Sequence, residues 1–294
     1  MAGAAPLPYH APMTAPHAPF GAFLDRLRPM PAELAAARDA AAKPLAALRA
    51  HFRLSRRDHR GDFLVAGSIG KHTATRPLPP LDILYLLPPA TATAGTPAER
   101  VLELAAALGE GNDDDAASVA GGRIRIRPAV ESGGAFLIPV AGRWRVCNPA
   151  AEVAALGLVD RLSDGAATRL LALLRAWRDA NTVPLASFVL ENLAREFAAT
   201  RHGLGDAAAL TEFFAWCRGF TPRRLVLPGG LDRLDIGDAW HGAAEAAYWR
   251  CVLAARHAAA GDDAAATEEW RRLLGRGFPD PRAALPPPGT RPAS

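Results

Sequence analysis

The sequence predicts an α+β protein, in which strands and helices mix in the first half of the chain and helices dominate the second half. Two apolar runs, residues 63–66 and 81–87, have the length of buried strands. Strict alternation over residues 123–128 predicts a third strand, with isoleucines on one face and arginines on the other. Apolar residues at helical spacing then fill much of residues 166–200. These three observations set the fold class.

The two ends of the chain differ in composition from the rest. Residues 1–19 are rich in proline and alanine and have no hydrophobic period, so we expect a disordered tail, with a second one at residues 280–294. Between residues 21 and 52, apolar residues recur at helical spacing. Pro31 stands at a helix start, and Pro44 predicts a kink or break. The first folded segment is therefore predicted to be helical.

A turn and an embedded acid accompany the two apolar runs. Gly67 and Ser68 end the first run, where a glycine lets the backbone approach a phosphate and Ser68 with the following N–H groups forms an anion site. Asp82 is the single acid of the second run. This layout suits phosphate handling. Alternatively, Gly67 and Ser68 form only a tight turn that caps a helix, and Asp82 is a surface acid or an acceptor for an N–H group.

A helix, a loop and three strands are predicted after the second run. Pro97–Leu108 has a helical pattern, and the acidic run 113–115 indicates a solvated loop rather than a metal site. After the strand at 123–128, Ala135–Val140 and Arg143–Cys147 form two short strands joined at a glycine. The arginines of the strand at 123–128 either face a cleft or form the solvated side of an edge strand.

The second half is predicted to be helical. Residues 166–178 and 184–200 have apolar residues at i, i+3 and i+4, and an Asn-Thr-Val-Pro break separates them. Trp177, Trp240 and Trp270 are expected to be core residues rather than platforms on which bases stack.

Composition narrows the function classes only slightly. The formal net charge is +4, and lysine occurs only at Lys43 and Lys71, so the basicity follows an arginine-rich composition and is weak evidence for nucleic acid. No uninterrupted apolar run of about 18 residues is present, so we expect no membrane partner. The three cysteines are widely spaced and do not have the spacing of a metal site. The start of the sequence does not have the pattern of a signal peptide. Together, these features predict a cytoplasmic protein.

The segment from Gly67 to Asp82 resembles the signature of the polymerase-β-like nucleotidyltransferases. Within them it is most similar to the bacterial CD-NTases, the cGAS/DncV-like, SMODS-type synthases of cyclic oligonucleotides. Their pattern is G-S-x-x-(K/R)-x-T-x-x-R-P-x-x-D-x-D. The matching residues are Gly67, Ser68, Lys71, Thr73, Arg76, Pro77 and Asp82. Pro80 stands where the family has the first acid of D-x-D.

Further segments resemble the same family in the same order. The stretch from residue 123 resembles the strand that carries the third carboxylate, and its register places Arg125 at that acid. The helix pair of the second half places Arg175 at a triphosphate-contacting lysine and Ser187 at the family's serine. The resemblance runs from about residue 21 to 279. It implies a nucleotidyltransferase-like lobe at 20–160, with a mixed sheet and an N-terminal bracing helix, and a helical lobe at 161–279.

The resemblance also implies a set of site residues. Nucleotide contacts are expected from Gly67, Ser68, Lys71, Thr73, Arg76, Arg125, Arg175 and Ser187. Asp82 is the only retained catalytic and metal-binding acid. Pro80 has no ligand atom, and Arg125 puts a permanent positive charge where a divalent cation would sit. We therefore expect a pseudoenzyme without a cofactor, and Mg²⁺ only if the chain is active.

Three hypotheses follow from this pattern. The first is a catalytically inactive protein that binds a nucleotide or oligonucleotide in the former active cleft, within the anti-phage (CBASS) signalling that the resemblance implies. The second is an active nucleotidyltransferase that makes cyclic or linear oligonucleotides, with Glu131 or the acidic run 113–115 as substitute carboxylates. The third is a non-catalytic scaffold whose partner is an active synthase or an effector. Whether the protein is an enzyme stays open at this point.

Overall fold

A computed structural model describes residues 17–52, 62–88, 95–219, 224–229 and 233–280. Its helices are α1 (His17–Leu27), α2 (Pro31–Asp39), α3 (Ala42–His51), α4 (Gly67–Gly70), α5 (Pro97–Leu108), α6 (Pro149–Leu162), α7 (Ala166–Ala180), α8 (Ser187–Ala198), α9 (Asp206–Arg218), α10 (His241–Ala259) and α11 (Asp263–Leu274). Its strands are β1 (Phe63–Val65), β2 (Leu81–Leu86), β3 (Gly111–Asn112), β4 (Ala117–Val119), β5 (Ile124–Ser132), β6 (Ala135–Val140), β7 (Arg143–Cys147), β8 (Arg224–Val226) and β9 (Arg233–Asp235).

The sheet of the first half is mixed, which confirms the α+β prediction. Its order is β1-β2-β5-β4-β3, and β6 and β7 continue from the far end of β5. Strands β2 and β5 are parallel, whereas the other neighbouring pairs are antiparallel. The buried face carries Ile83, Ile124 and Ile126, as the alternation predicts. Because β5 lies between β2 and β4, the edge-strand interpretation of its arginines is wrong.

The N-terminal segment consists of three helices, where the resemblance implies one long bracing helix. Pro31 begins α2, as predicted, because a first-turn residue needs no N–H donor. Pro44 lies in the first turn of α3 and does not kink it, so the chain breaks before α3 instead. Helix α1 packs on the helical half through Phe20, and α3 packs on the sheet through Leu48. The segment thus contacts both halves of the protein.

Most predicted boundaries outside this segment lie close to the observed ones. Helix α5 and the β6–β7 hairpin have the predicted limits, whereas β5 continues to Ser132, four residues beyond the predicted strand end. Helix α1 already begins at His17, inside the predicted tail, and Asp280 is described at the other end. The remainders of the two predicted tails, residues 1–16 and 281–294, lie outside the described residues.

The two halves have separate hydrophobic cores. One face of the sheet packs against α3 and α5, and the second half forms a large core from α1 and α7–α11. Trp177, Trp240 and Trp270 lie in this second core, which confirms their predicted role. Helix α6 packs on α7 and α8 through Leu156 and Val159, so it belongs with the helical half by its contacts. In the described part of the chain, no helix is both long and apolar enough to span a membrane.

Candidate functional site

The turn after β1 brings the backbone against a carboxylate. Gly67 has a φ of +60°, and a Cβ on it would lie 2.4 Å from Asp82 Oδ2. Glycine is required here both for the left-handed backbone and for the space. The Ala66 N–H donates to the Asp82 carbonyl at 2.8 Å, which holds the two strands in this register. The Asp82 carboxylate therefore lies directly on the Gly67 backbone.

Asp82 shares one face of the sheet with two arginines. In the parallel β2–β5 ladder, Asp82 lies opposite Arg125 and Leu84 lies opposite Arg127. Because side chains alternate along a strand, Asp82, Arg125 and Arg127 point to the same side; we call these three residues the Asp82 face. Burial raises the pKa of the Asp82 carboxyl above its ordinary value, and Arg127 and Arg125 offset this rise only in part.

The Asp82 side chain is partly buried, so it is not a fully exposed surface acid. Its Oδ1 atom is buried and has no hydrogen-bond partner. The Nε atom of Arg127 is buried and unpartnered in the same way. The face therefore contains one unsatisfied acceptor and one unsatisfied donor.

Asp113 comes from the loop after β3 and neutralises Arg125. Its Oδ2 atom lies 2.6 Å from Arg125 Nη2, and its Oδ1 atom accepts the backbone N–H groups of Asp115 and Ala116, each at 2.9 Å. Although burial opposes it, these backbone bonds and the Arg125 cation lower the pKa of Asp113. Asp113 is thus an ordered partner of Arg125 as well as part of the predicted solvated loop.

Lys71 joins the first half to the helical half. Its Nζ atom binds the carboxylates of Glu152 on α6 and Glu191 on α8, the latter at 2.7 Å. The three side chains are only 8%, 16% and 7% exposed, respectively. Burial alone would lower the pKa of Lys71, but the charges of Glu191 and Glu152 outweigh it and raise the pKa. Lys71 is therefore a cation already bound by two acids.

Arg175 extends this contact between the halves. It is buried on α7 and donates to the carbonyl oxygen of Thr73 and, at 3.1 Å, to the Thr73 hydroxyl. Its Nη2 atom lies 3.7 Å from Glu191 Oε2. Burial lowers the pKa of Arg175 to about 10, and the Glu191 carboxylate opposes that fall. We call Lys71, Thr73, Glu152, Arg175 and Glu191 the interlobe network.

Arg76 is bound elsewhere. Its backbone N–H donates to the Leu27 carbonyl at 2.7 Å, and its guanidinium lies 3.0 Å from Glu33 Oε1 on α2. The structure therefore ties Arg76 to the N-terminal helices and does not join it to Lys71 and Arg175 in one basic pocket.

The remaining predicted residues lie around these groups. Ser68 is partly buried in α4, where its carbonyl accepts the Thr73 N–H at 2.8 Å. Ser187 begins α8, is exposed, and accepts a hydrogen bond from Arg178 Nη1 at 2.5 Å. Pro80 is exposed immediately before β2. Their roles in nucleotide binding stay predictions.

Two charged residues of the site were missed by sequence reasoning. Glu152 and Glu191 end two motifs that resemble the family, N-P-x-x-E and S-F-x-L-E, so the signal for them was present. Alternation had already placed Arg127 on the same strand face as Arg125, and the β2–β5 register agrees with that placement. Nothing in the local sequence indicated that Asp113 pairs with Arg125.

The acids of this site do not fit a magnesium pair. The described residues contain no group of three or more His, Cys, Asp or Glu side chains that could hold a metal ion. Asp82 is flanked by Arg125 and Arg127, and the oxygens of Asp113 already bind Arg125 and two N–H groups. Mg²⁺ requires several hard oxygen ligands in octahedral geometry, which this set does not supply.

A mixed sheet with a glycine turn beneath an acid-bearing strand, followed by a helical lobe, is a nucleotidyltransferase-like fold of the polymerase-β type. Comparison with solved structures narrows this fold class, because the chain has the fold of the CD-NTases. CdnC of E. coli MS115-1 with ATP superposes with a TM-score of 0.67 at 14% identity, covering 90% of this chain and 99% of that one. The CD-NTase CdnG of Bradyrhizobium diazoefficiens with GTP gives 0.57 at 17% identity, covering 91% and 98%.

The Vibrio cholerae cyclic AMP-GMP synthase DncV, bound to the linear intermediate pppA(3′,5′)pG, gives a TM-score of 0.58 at 10% identity and covers 90% of this chain and 88% of that one. CdnC is also similar in its complex with HORMA-deltaN, with a TM-score of 0.65 at 15% identity and coverage of 90% and 98%. No protein-family model and no curated protein matches the chain significantly. At these identities, the similarity shows the fold alone.

Proposed function

We propose that this chain is a catalytically inactive CD-NTase-like protein that binds a nucleotide or short oligonucleotide at the Asp82 face without a metal ion. The observation that carries the proposal is the β2–β5 register, which puts Arg125 directly beside Asp82, the only acid left at a family metal position. The Arg127 guanidinium on the same face, with a share of the Asp113-bound Arg125, takes over the charge neutralisation that metal ions would otherwise provide.

Loss of catalysis follows from the charges at this face. Nucleotidyl transfer uses two divalent ions, one to activate the attacking hydroxyl and one to neutralise the leaving pyrophosphate. At about 4 Å, two unit charges interact by roughly 4 kcal/mol at an effective dielectric constant near 20, and a divalent ion doubles this. Arg125 and Arg127 therefore oppose metal binding, while Asp82 alone favours it. Two ions cannot be held against that balance.

Retention of binding is supported by what the site keeps. The Gly67 turn, the Ser68 position and two arginines on the Asp82 face provide backbone N–H groups and cations for a phosphate. CdnC, CdnG and DncV, which share the fold, are seen with ATP, GTP and a linear dinucleotide intermediate, respectively. We place the protein in anti-phage signalling, with a protein partner such as a synthase or effector, as the resemblance implies.

Isothermal titration and product analysis on the same preparation test this function. The protein is titrated with ATP, GTP, CTP, UTP and short oligonucleotides, in EDTA and in Mg²⁺, and is then incubated with labelled nucleotides. We expect binding in EDTA and no product in Mg²⁺ or Mn²⁺. Absence of binding in every condition refutes the proposal. A product that disappears in Asp82→Asn refutes the loss of catalysis.

A second candidate, an active nucleotidyltransferase, is favoured by one observation. The Asp113 charge acts on Asp82 and raises its pKa, so a second carboxylate lies near the single retained acid. If Asp113 left Arg125 and turned to a metal ion, two acids would share that ion. This function requires product formation that both Asp82→Asn and Asp113→Asn abolish. Product that survives Asp113→Asn excludes Asp113 as the substitute acid.

A further inference from the structure

The Asp82 face presents two unsatisfied atoms of opposite character. Asp82 Oδ1 is an acceptor and Arg127 Nε is a donor, and neither has a hydrogen-bond partner. The positive charge of Arg127 lowers the pKa of Asp82 more than that of any other cation, yet the two side chains do not form a hydrogen bond with each other. A buried polar atom without a partner is costly, so such a pair is expected to gain most from a ligand that satisfies both. Both residues are only partly buried, so side-chain rotation can present these atoms to a ligand.

The other cations near the face already have acidic partners. Lys71 is bound by Glu152 and Glu191, and Arg125 is bound by Asp113. Among the residues that the structure describes, Arg127 has no ion pair. Arg127 therefore supplies the one cation on this face that is free to meet an anionic ligand.

This inventory limits the charge of the ligand. A metal-free triphosphate carries more negative charge than Arg127, with a share of Arg125, can balance, and Asp82 and Asp113 add repulsion. A phosphodiester or a monophosphate is a closer match. The neighbouring acceptor Asp82 Oδ1 requires a donor beside that phosphate, and a ribose hydroxyl is such a donor.

Resting on the proposed function, we infer that this site is specific for a ribonucleotide monophosphate or phosphodiester. Arg127 binds its phosphate, and Asp82 accepts a hydrogen bond from the adjacent ribose hydroxyl. Nucleoside triphosphates are poor ligands. The site then recognises the form in which nucleotides occur inside an oligonucleotide or after loss of pyrophosphate, rather than the form that a synthase consumes.

Titration of the unmodified full-length protein in EDTA tests the ligand class. The probes are adenosine 5′-monophosphate, the 3′,5′-linked dinucleotide ApG, its 2′-deoxy counterpart and ATP. We expect the first two to bind at least about tenfold more tightly than ATP, and ApG to bind about tenfold more tightly than its deoxy counterpart, because a lost hydrogen bond to a charged group has about this effect. A preference for the monophosphate over ApG, or the reverse, identifies which phosphate the site uses.

Arg127→Gln tests the residue, and Arg143→Gln is its matched control on the exposed strand β7. We expect Arg127→Gln to weaken ApG binding by about 10- to 100-fold and Arg143→Gln to leave it unchanged. If Arg127→Gln does not fold, Arg127→Lys keeps the charge but loses the Nε donor, and it should also weaken binding. Asp82→Asn should reduce the preference for ApG over its deoxy counterpart.

The outcomes separate the two proposals. ATP binding in EDTA as tightly as ApG, or equal effects of Arg127→Gln and Arg143→Gln, overturns this inference and leaves metal-free nucleotide binding intact. No binding of any nucleotide overturns the proposed function and this inference together.

Discussion

Lys71→Met should destabilise the protein strongly, although Lys71 lies outside both hydrophobic cores. The substitution keeps the length of the side chain and removes the ammonium that binds Glu152 and Glu191. Both carboxylates then remain in their buried positions without this cation. Glu191 keeps a further basic neighbour, because Arg175 Nη2 lies 3.7 Å from Glu191 Oε2.

The expected magnitude follows from burial. Lys71 and Glu191 are 8% and 7% exposed, which is the range of buried ion pairs. Removal of one partner from such a pair typically lowers the free energy of unfolding by about 3–5 kcal/mol, because an uncompensated charge stays buried. In a chain of this size, that corresponds to a fall in Tm of roughly 6–20 °C.

Urea and thermal unfolding of matched variants measure this loss. The control is Arg28→Gln, which breaks a 3.7 Å pair with Asp25 whose side chains are 77% and 73% exposed. Exposed pairs contribute about 0–1 kcal/mol, so the control should be nearly neutral. Adding Glu152→Gln to Lys71→Met should recover part of the lost stability, because one unpaired charge is removed. Equal, small effects of Lys71→Met and Arg28→Gln would refute the argument that Lys71 is a buried, shared cation.

The pH dependence gives an independent check. The folded-state pKa of Lys71 is raised above its ordinary value of 10.5. Its contribution to stability is therefore fully present below pH 10.5 and is lost as the pH rises through the folded-state value. The stability difference between the natural protein and Lys71→Met should be constant at neutral pH and shrink at strongly alkaline pH. A difference that changes mainly between pH 6 and 8 would contradict this assignment.

Three further perturbations have definite expected results. Gly67→Ala and Gly109→Ala both force alanine to a φ near +60°, which costs about 1–2 kcal/mol. Of these two variants, only Gly67→Ala also places a Cβ against Asp82. Gly67→Ala should therefore lower Tm more than Gly109→Ala does and should also weaken nucleotide binding. Asp82→Asn should raise the free energy of unfolding at pH 7. Because the folded-state pKa of Asp82 is raised, the natural protein loses stability as the pH rises from 3.8 through that folded-state value, and asparagine does not ionise. A variant that unfolds more easily than the natural protein at pH 7 would contradict this. Burial raises the pKa of Cys147 to about 12, so the native protein should resist thiol labelling at pH 7.5 until it is unfolded, and rapid labelling of Cys147 would show that it is accessible as a thiolate.

Local patterns in the sequence were sufficient for much of the fold. Helix α5 begins at a proline after a threonine cap and ends just before the capping residue Gly109, and these residues set its limits without help from the rest of the chain. The β6–β7 hairpin follows from two short strand-like segments on either side of the turn residue Gly142. The burial of Ile124 and Ile126 follows from strict alternation. Each of these predictions depends on residues within one element.

The candidate site could be predicted only in part, because its contacts join distant parts of the chain. The neighbourhood of Asp82 and Arg125 was anticipated through the resemblance, since periodicity does not set the register between two strands. Lys71 and Glu191 are 120 positions apart, and Arg175 and Thr73 are 102 apart. No local pattern indicates that a lysine placed like a phosphate ligand is already bound by carboxylates. That outcome depends on how the halves meet.

Helix α1 packs against residues that are translated long after it. The Phe20 ring contacts the rings of Trp270 and Phe278, each with centroids 5.1 Å apart. Helix α1 also contacts α7 and α9, so its packing surface is complete only after Phe278 has been translated. Contacts of such long sequence separation form late, so α1 must wait as an exposed amphipathic segment while the sheet assembles. A nascent chain that stops before α11 lacks the Trp270 and Phe278 rings, so the part of α1 around Phe20 stays open to chaperones and proteases.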